Sequence, residues 1–377
     1  MSKSRPWSRK RLDEIASIGS GATPPATSGN CVVMGANGPI GTANRHNLTA
    51  GYLVGRVGSA GAVSQWVENV WASDNTLTVA PRAGVDGRFL GHLLRFMDPT
   101  VLVTQTAQPL VTQTGLGRME ALVPPEGEQR QIAKILDTLD DQTRLIEGVR
   151  DKHRAIKIGL LPTLLNPSSS AKNLAVNKWE VGRLSELVGT ITSGITPESG
   201  DPRYYDTEGV PFVMINDLTA ARGHELTHTS LCVTEAALCE TGLQIYPVGT
   251  LLVSMYGTIG LVKVLATRAA ANQAISALLP PFGCDPRYLY HYLEWIRPKW
   301  TEFVGQTTQA NINGKVVKTM PVSLPSLSEQ RQIAEMLGVL DGQIRCLDQH
   351  LDKLRDTKTG LMSDLLSGRV RVPEGMG

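Results

Sequence analysis

Apolar residues return at alternating steps of four and three along the last stretch of the chain: Ile333, Leu337, Leu340, Ile344, Leu347, Leu351, Leu354, then Lys358, Leu361 and Leu365. Nine of these ten positions are apolar. Such a seam is narrower than the stripe of a helix lying on a globular core, and it predicts a coiled-coil partner. The run is opened by Glu329-Gln330-Arg331-Gln332-Ile333-Ala334, and the same six residues stand 201 positions earlier as Glu128-Gln129-Arg130-Gln131-Ile132-Ala133. In that first copy the register gives Ile132, Leu136, Leu139, Ile146, Leu160 and Leu164, broken by Thr143, Arg150, His153 and Lys157, with Val149 and Ile156 expected to fill part of the gaps. Each run predicts a helix of about 38 residues, roughly 57 Å at 1.5 Å per residue. Polar seam residues such as Thr143, His153 and Lys358 have two readings: they fix register, or they mark drift of the stripe around the helix.

The repeat extends beyond the helices. Trp7, Leu12 and Glu14 match Trp179, Leu184 and Glu186 at an offset of 172, and Ser20-Gly21-Ala22-Thr23-Pro24 matches Ser193-Gly194-Ile195-Thr196-Pro197 at 173. Gly58-Ser59-Ala60-Gly61 matches Gly257-Thr258-Ile259-Gly260 at 199, as do Asp86, Arg88 and His92 with Asp285, Arg287 and His291. The offset grows by 29, so the second copy carries about that many extra residues, mostly before Leu252. Short β-rich runs at 51–57, 71–80, 250–255 and 260–265 are bounded by Gly, Asn and Pro, and helices are predicted at 88–97 and 287–295. Each globular copy therefore reads as α+β. The expected order is a globular segment at 1–123, a helix at 124–165, a linker at 166–178, a second globular segment at 179–324, a second helix at 325–367 and a tail at 368–377. Ser326-x-x-Glu329 is a capping box at the second helix, while Pro162 and Asn166-Pro167 are expected to end the first.

Composition adds little to this outline. The formal charge is +2 over 377 residues, so no basic tail announces nucleic acid. Residues 1–123 carry 11 Lys and Arg against 7 acids, but residues 179–324 carry 10 against 13, which weighs mildly against purely electrostatic DNA binding there. Five scattered cysteines without a CxxC suggest free thiols in a reducing compartment. No apolar run has the length of a membrane span, and Met1-Ser2-Lys3-Ser4-Arg5 does not resemble a signal peptide. A soluble cytoplasmic protein is expected.

The Pro-Pro-x-x-Glu-Gln-x-x-Ile-Ala opening of the first helix, its counterpart after Pro325, the Ser-Gly-x-Thr-Pro loops, Tyr256-Gly257-Thr258-Ile259-Gly260 and the C-terminal Leu365-Leu366-x-Gly368-Arg369-Val370-Arg371-Val372 together resemble the specificity subunit of type I restriction-modification enzymes, over essentially the whole chain. The resemblance implies two pseudo-repeated α+β target-recognition domains separated by a long antiparallel two-helix coiled coil. It implies that each domain reads one half of a bipartite double-stranded DNA site and that the helices set the gap. It further implies docking of two modification (methyltransferase) subunits on the helices, and of restriction (translocase-nuclease) subunits in the full complex. S-adenosylmethionine, ATP and Mg are expected in those partners, with no cofactor held by this chain. A methylation-only complex would use the same module.

Base reading requires donor and acceptor side chains on loops that enter a groove. The candidates are Thr23, Arg56, Ser59, Asn75, Gln108, Thr112 and Gln113 in the first copy, and Thr196, Tyr256, Thr258, Asn272, Gln273, Gln309 and Asn311 in the second. Lys315 and Lys318 suit phosphate contacts, and Gln129, Arg130, Gln330 and Arg331 are candidate partner contacts. Against each stands a plainer reading: Gly-rich loops with Thr and Asn are turns, and polar residues at a helix start cap or solvate it. Catalytic motifs are lacking. His224-x-x-x-His228 has no evident third metal ligand, and its Thr and Gly neighbours argue for a loop. Gly55-x-x-Gly58-x-x-Gly61 matches neither a P-loop nor a Rossmann fingerprint. Asp348, Asp352 and Asp356 read as a solvated helix face. The chain is expected to be non-catalytic. The competing function is a coiled-coil scaffold whose globular copies bind protein or glycan.

Overall fold

A computed structural model describes residues 6–66, 68–104, 109–166, 179–303 and 312–372. The chain divides into two compact units, residues 1–146 with 350–377, and residues 147–349. The expected serial order of globular segment and helix is thus cut differently, because each unit takes part of both long helices into its own core.

The first unit contains β1 (Ser8–Arg11), α1 (Leu12–Ile15), β2 (Ala16–Ser20), β3 (Cys31–Gly35), β4 (Gly38–Ala43), β5 (Gly51–Gly55), β6 (Val63–Trp66), β7 (Val70–Ala72), β8 (Thr76–Pro81), α2 (Gly87–Met97), α3 (Gln113–Gly117) and β9 (Glu120–Val123). The long α4 (Glu126–Leu165) begins here. Strands β2-β8-β5-β6 form an antiparallel sheet, β4-β3-β7 a smaller mixed one, and β1 pairs with β9 just before α4. The expected strand at 71–80 is split into β7 and β8 by a turn at Ser73–Asn75. Helix α2 starts where Asp86 accepts from the amides of Arg88 and Phe89, both at 3.0 Å. Its buried face is Phe89, Leu90, Leu93 and Leu94.

The second unit repeats this plan with β10 (Glu180–Arg183), α5 (Leu184–Leu187), β11 (Val188–Ser193), β12 (Tyr205–Asp206), β13 (Val210–Val213), α6 (Ile215–Ala220), β14 (Glu225–Leu226), β15 (Leu231–Val233), α7 (Glu235–Thr241), β16 (Leu251–Ser254), β17 (Val262–Leu265), β18 (Ala270–Ala271), β19 (Ile275–Phe282), α8 (Pro286–Trp295), α9 (Gly314–Thr319) and β20 (Pro321–Leu324). The long α10 (Leu327–Leu366) follows. The main sheet is β11-β19-β16-β17-β14, the smaller one β12-β15-β13-β18, and β10 pairs with β20. The extra residues before Leu252 form α6, β14, β15 and α7, which enlarge both sheets. His224 and His228 lie in loop, and among the described residues no cluster of His, Cys, Asp and Glu could hold a metal.

Within each unit the two long helices run antiparallel. In the first unit Glu128 pairs with Arg371 and, further along α4, Asp140 pairs with Lys358. In the second, Arg150 and Arg154 reach Asp348 while Lys157 meets Asp341. All ten seam positions of α10, and the ten equivalent ones of α4, are buried or half-buried. The polar breaks therefore stay in the seam. Lys157, Arg150 and Lys358 sit opposite carboxylates, and the Thr143 hydroxyl donates to the Leu139 carbonyl at 2.8 Å. Asp348 is correspondingly not part of a solvated face. Ile156 does not fill a gap; it is 52 % exposed. Pro162 lies inside the last turn of α4 rather than ending it, so the intrahelical bond that a residue with an N–H would give to the carbonyl four residues back is missing there.

The helix ends belong to the cores. Ile132, Ala133 and Leu136 of α4, with Leu365 and Leu366 of α10, pack among Leu12, Val54, Leu77, Phe89 and Leu93. Ile333, Ala334 and Leu337 do the same in the second unit, with Leu165, among Leu184, Leu278, Tyr288 and Leu293. Burying one such leucine or isoleucine contributes about 1.5–3 kcal/mol. Each domain is thereby fused to the helix that follows it rather than hung from it.

Candidate nucleic-acid interface

Four pieces distant in sequence meet at one end of the main sheet of the first unit. The Ser-Gly-x-Thr-Pro loop after β2 lies against the turn between β7 and β8: the Gly21 amide donates to the Thr76 carbonyl (2.9 Å) and the Ala22 amide to that of Ala72 (3.0 Å). A Cβ at Gly21 would overlap the carbonyl oxygens of Ser73 and Ala72, which explains the glycine. The Thr23 hydroxyl donates to Asp74 at 3.2 Å. The loop after β5 joins next, with the Arg56 amide donating to the Asn75 carbonyl and the Val111 amide donating to that of Arg56, both at 2.9 Å. Val111 leads into Thr112, which caps α3 by accepting from the Gly115 amide (3.0 Å). Gln113 closes the ring, its Nε2 donating to the Ile18 carbonyl (2.7 Å) and its Oε1 accepting from Ser20 (3.2 Å).

The second unit repeats the backbone bonds of this cluster, while Gly314 stands where Gln113 would recur and leaves its side-chain bonds without a counterpart. Gly194 and Ile195 donate to the carbonyls of Ile275 and Ala271, and a Cβ at Gly194 would overlap the oxygens of Ala271 and Asn272. The Met255 amide donates to Ala274 (2.8 Å) and the Ile312 amide to Met255 (3.1 Å). Asn313 caps α9, accepting from Lys315 (3.0 Å) and Val316 (3.1 Å). The loop after β5 folds back through Gly61 N–H to the Gly55 carbonyl (2.8 Å), and the loop after β16 through Gly260 N–H to Ser254 (2.9 Å).

The candidate residues divide accordingly. Thr23, Asn75, Thr196, Gln273, Lys315 and Lys318 are exposed on the cluster, with Tyr256 39 % exposed. Arg56 and Ser59 are half-buried there. Gln113 is engaged in holding separate segments together, Thr112 in capping its own helix, and Asn272 in its own turn, where its Oδ1 accepts from the Ala274 amide (3.2 Å). The Thr258 hydroxyl oxygen is buried without a protein partner. Gln108, Gln309 and Asn311 lie outside the described residues. Gln129 and Gln330, expected on a partner surface, are instead 2 % and 4 % exposed; Arg130 and Arg331 beside them are exposed.

Sequence reasoning missed two features. Trp71 underlies the first cluster, its Nε1 donating to the Ala22 carbonyl (2.8 Å) with the Arg45 guanidinium 5.3 Å above its ring. Glu128, 2 % exposed, accepts from Trp7 Nε1 (3.0 Å), Arg371 Nε and Nη2 (2.8 Å each) and the Val372 amide (3.2 Å). Burial alone would raise its pKa, but these donors outweigh burial and hold the carboxyl below its ordinary range. The signal was available: the Glu of the repeated motif follows a Trp at each unit's start, and an Arg-rich tail ends the chain.

A family model for the type I restriction modification DNA specificity domain matches residues 4–152 and again 177–355. The chain belongs to that family. Its specificity domain thus occurs twice, each copy joining one loop cluster to the long helix that follows. Among curated relatives, a putative type I restriction enzyme MjaX specificity subunit of Methanocaldococcus jannaschii is 25 % identical over 314 residues, 79 % of this chain and 72 % of that protein. A putative type I specificity subunit of Haemophilus influenzae is 25 % identical over 358 residues, 87 % of this chain and 86 % of that one. The fold is similar to that of the S subunit of a type I restriction-modification system from M. genitalium, with a TM-score of 0.68, 15 % identity and 97 % of each chain covered. It is also similar to a chain solved for the complex assembly and conformational transition of a type I system, with a TM-score of 0.57, 18 % identity, and 98 % and 100 % coverage. This type I specificity subunit therefore carries two target-recognition domains, and the protein- or glycan-binding scaffold has no support.

Proposed function

We propose that the two loop clusters are the DNA-reading surfaces, each taking one half of a bipartite site, and that the paired helices set the gap between the halves. The observation that carries this reading is the doubled cluster: the same backbone bonds, built from four separate pieces, display different side chains in the two copies. Constant backbone with variable polar tips suits a reader of base edges. Arg56 has the two-pronged donor geometry for guanine O6 and N7, and Asn75, Gln273, Gln108 or Gln309 the amide geometry for adenine. Thr23, Ser59, Thr196, Tyr256 and Asn311 complete the reading edges, while Lys315 and Lys318 meet phosphates. Gln113 holds separate segments of the first cluster together, while Thr112 and Asn272 order their own helix and turn.

A helical rod suits the gap-setting role because duplex DNA turns once per about 34 Å, so both distance and rotational phase must be kept. The exposed helix faces, with Arg130 and Arg331, dock two modification subunits. Those partners, with a restriction subunit, would bring S-adenosylmethionine, ATP and Mg and the catalytic steps, in the cytoplasm; this chain contributes the address.

The test is retention of random duplexes by the full chain assembled with its modification subunits, followed by sequencing. A split motif with one constant gap is expected. Inserting four residues, about one helical turn, into one long helix should change the gap and leave both half-sites intact. Exchanging residues 179–324 for another family member's segment should change one half-site alone. Retention without a split motif would refute the reading.

A further inference from the structure

The buried glutamines of the repeated motif make the same two bonds in both units. Gln129 Oε1 accepts from the Asp86 amide at 2.9 Å, and Gln330 Oε1 from the Asp285 amide at 2.9 Å. On the other side, Nε2 donates to the Pro124 carbonyl in one unit and to the Pro325 carbonyl in the other, each at 2.9 Å. Asp86 and Asp285 are the N-caps of α2 and α8, the helices that carry each main sheet, while the prolines lie at the entrances of α4 and α10. One amide group therefore ties the domain to its long helix at a single point in each copy.

Other polar links across this joint differ between the copies. In the first unit His92 Nε2 and Arg88 bond Asp137 of α4, at 2.8 and 3.4 Å. In the second, Gly338 stands where Asp137 would recur, and His291 Nδ1 is 3.8 Å from Asp341 instead. In the first unit Trp7 Nε1 also donates to Glu128 (3.0 Å) and Gln129 Nε2 to the Gly84 carbonyl (3.3 Å), links without a counterpart described in the second, where Arg345 Nη2 lies 3.5 Å from His224 Nδ1 instead. The apolar part of the joint runs through Ile132 and Leu136 or Ile333 and Leu337. Apolar contacts hold surfaces together without fixing rotation, whereas a buried amide with a partner on each side is directional and costly to leave unpaired.

We infer that Gln129 and Gln330 are positioning residues for DNA recognition: they fix the angle at which each reading domain leaves its helix, and so the half-site gap the subunit accepts. The inference rests on the proposed reading of a split site. One base pair of gap is about 3.4 Å and roughly 35° of rotation, so a small tilt at the joint changes which gaps are accepted while the loop clusters stay intact.

The experiment uses the full chain with its modification subunits and a duplex pool carrying the wild-type half-sites at gaps varied in single base pairs. Gln330→Ala and Gln129→Ala are compared with Gln332→Ala, an exposed neighbour; Gln330→Met, which keeps the volume and removes both bonds, serves if the alanine variants do not fold. The preference for the wild-type gap over gaps one pair longer or shorter is expected to fall about tenfold in the Gln129 and Gln330 variants, equivalent to about 1.4 kcal/mol, with unchanged half-site sequence and no change for Gln332→Ala. Equal loss of retention at every gap, or an unchanged gap preference, would overturn the inference. A wild type that selects no split site sinks the proposed function itself, a distinguishable result.

Discussion

Removing the Arg371 guanidinium is expected to loosen the first unit by about 2 kcal/mol at neutral pH. Arg371 gives the Glu128 carboxylate two bonds of 2.8 Å and stacks 5.3 Å from the centre of the Trp7 ring. Bonds to an ionised group contribute about 1.5–3 kcal/mol, but the Arg371 side chain is 38 % exposed while that of Glu128 is 3 % exposed. Solvent screening discounts the arginine's share, and the stacking adds about 0.5 kcal/mol. In Arg371→Ala the carboxylate stays buried with Trp7 and Val372 as its remaining partners, which is where most of the loss arises. For a unit of this size the loss corresponds to a melting temperature about 4–8 °C lower.

The pH dependence has a definite sign. Because the folded Glu128 pKa is held below its ordinary value, its stabilisation is complete above the unfolded carboxylate pKa. It is lost as pH falls through the folded value. The gap between wild type and Arg371→Ala should therefore be widest near pH 7 and close in acid. Thermal unfolding followed by circular dichroism at a series of pH values measures it. The control is Arg369→Ala, which breaks an exposed pair with Asp364 (2.9 Å) and should shift stability by less than about 0.5 kcal/mol. Equal melting of Arg371→Ala and wild type at pH 7, or a difference that does not shrink toward acid, would refute the buried-anchor reasoning.

Gly194→Ala places a methyl group against the Ala271 and Asn272 carbonyl oxygens; a cost of about 1–3 kcal/mol and loss of one half-site with the other retained are expected in the duplex selection, and loss of both would contradict independent reading. A double-mutant cycle on Lys157 and Asp341, whose side chains are 23 % and 18 % exposed, should return a coupling of about 1 kcal/mol that weakens with added salt; zero coupling in urea melts would mean that the pair does not stabilise the helical pairing.

The seam of α10 was legible because a coiled-coil period is a local property: alternating steps of four and three bring Ile333 through Leu365 onto one face whatever the partner. The first helix was harder to read, since Arg150 and Lys157 interrupt the apolar pattern and their meaning depends on Asp348 and Asp341, nearly two hundred residues away. The Ser-Gly-x-Thr-Pro loops could be matched in sequence. That Gly21 must be glycine because Ser73 and Ala72 pass beneath it could not.

Gln129 and Gln330 mark the same boundary from the other side. A glutamine one residue into a helical motif reads as solvated or partner-facing, and only the folded chain brings the amides of Asp86 and Asp285 onto them.

What the sequence alone determined was therefore periodic or repeated: two long helices, two α+β copies, the extra residues of the second, and the family resemblance. Each is carried by residues close together or by direct comparison of the copies. The tertiary structure decided which polar residues are used inside the fold and which remain outside it. Burial and hydrogen-bond pairing are set by long-range neighbours, so Glu128 became an anchor for the tail and the paired glutamines became joints, while Gln273, Lys315 and Asn75 stayed at the surface.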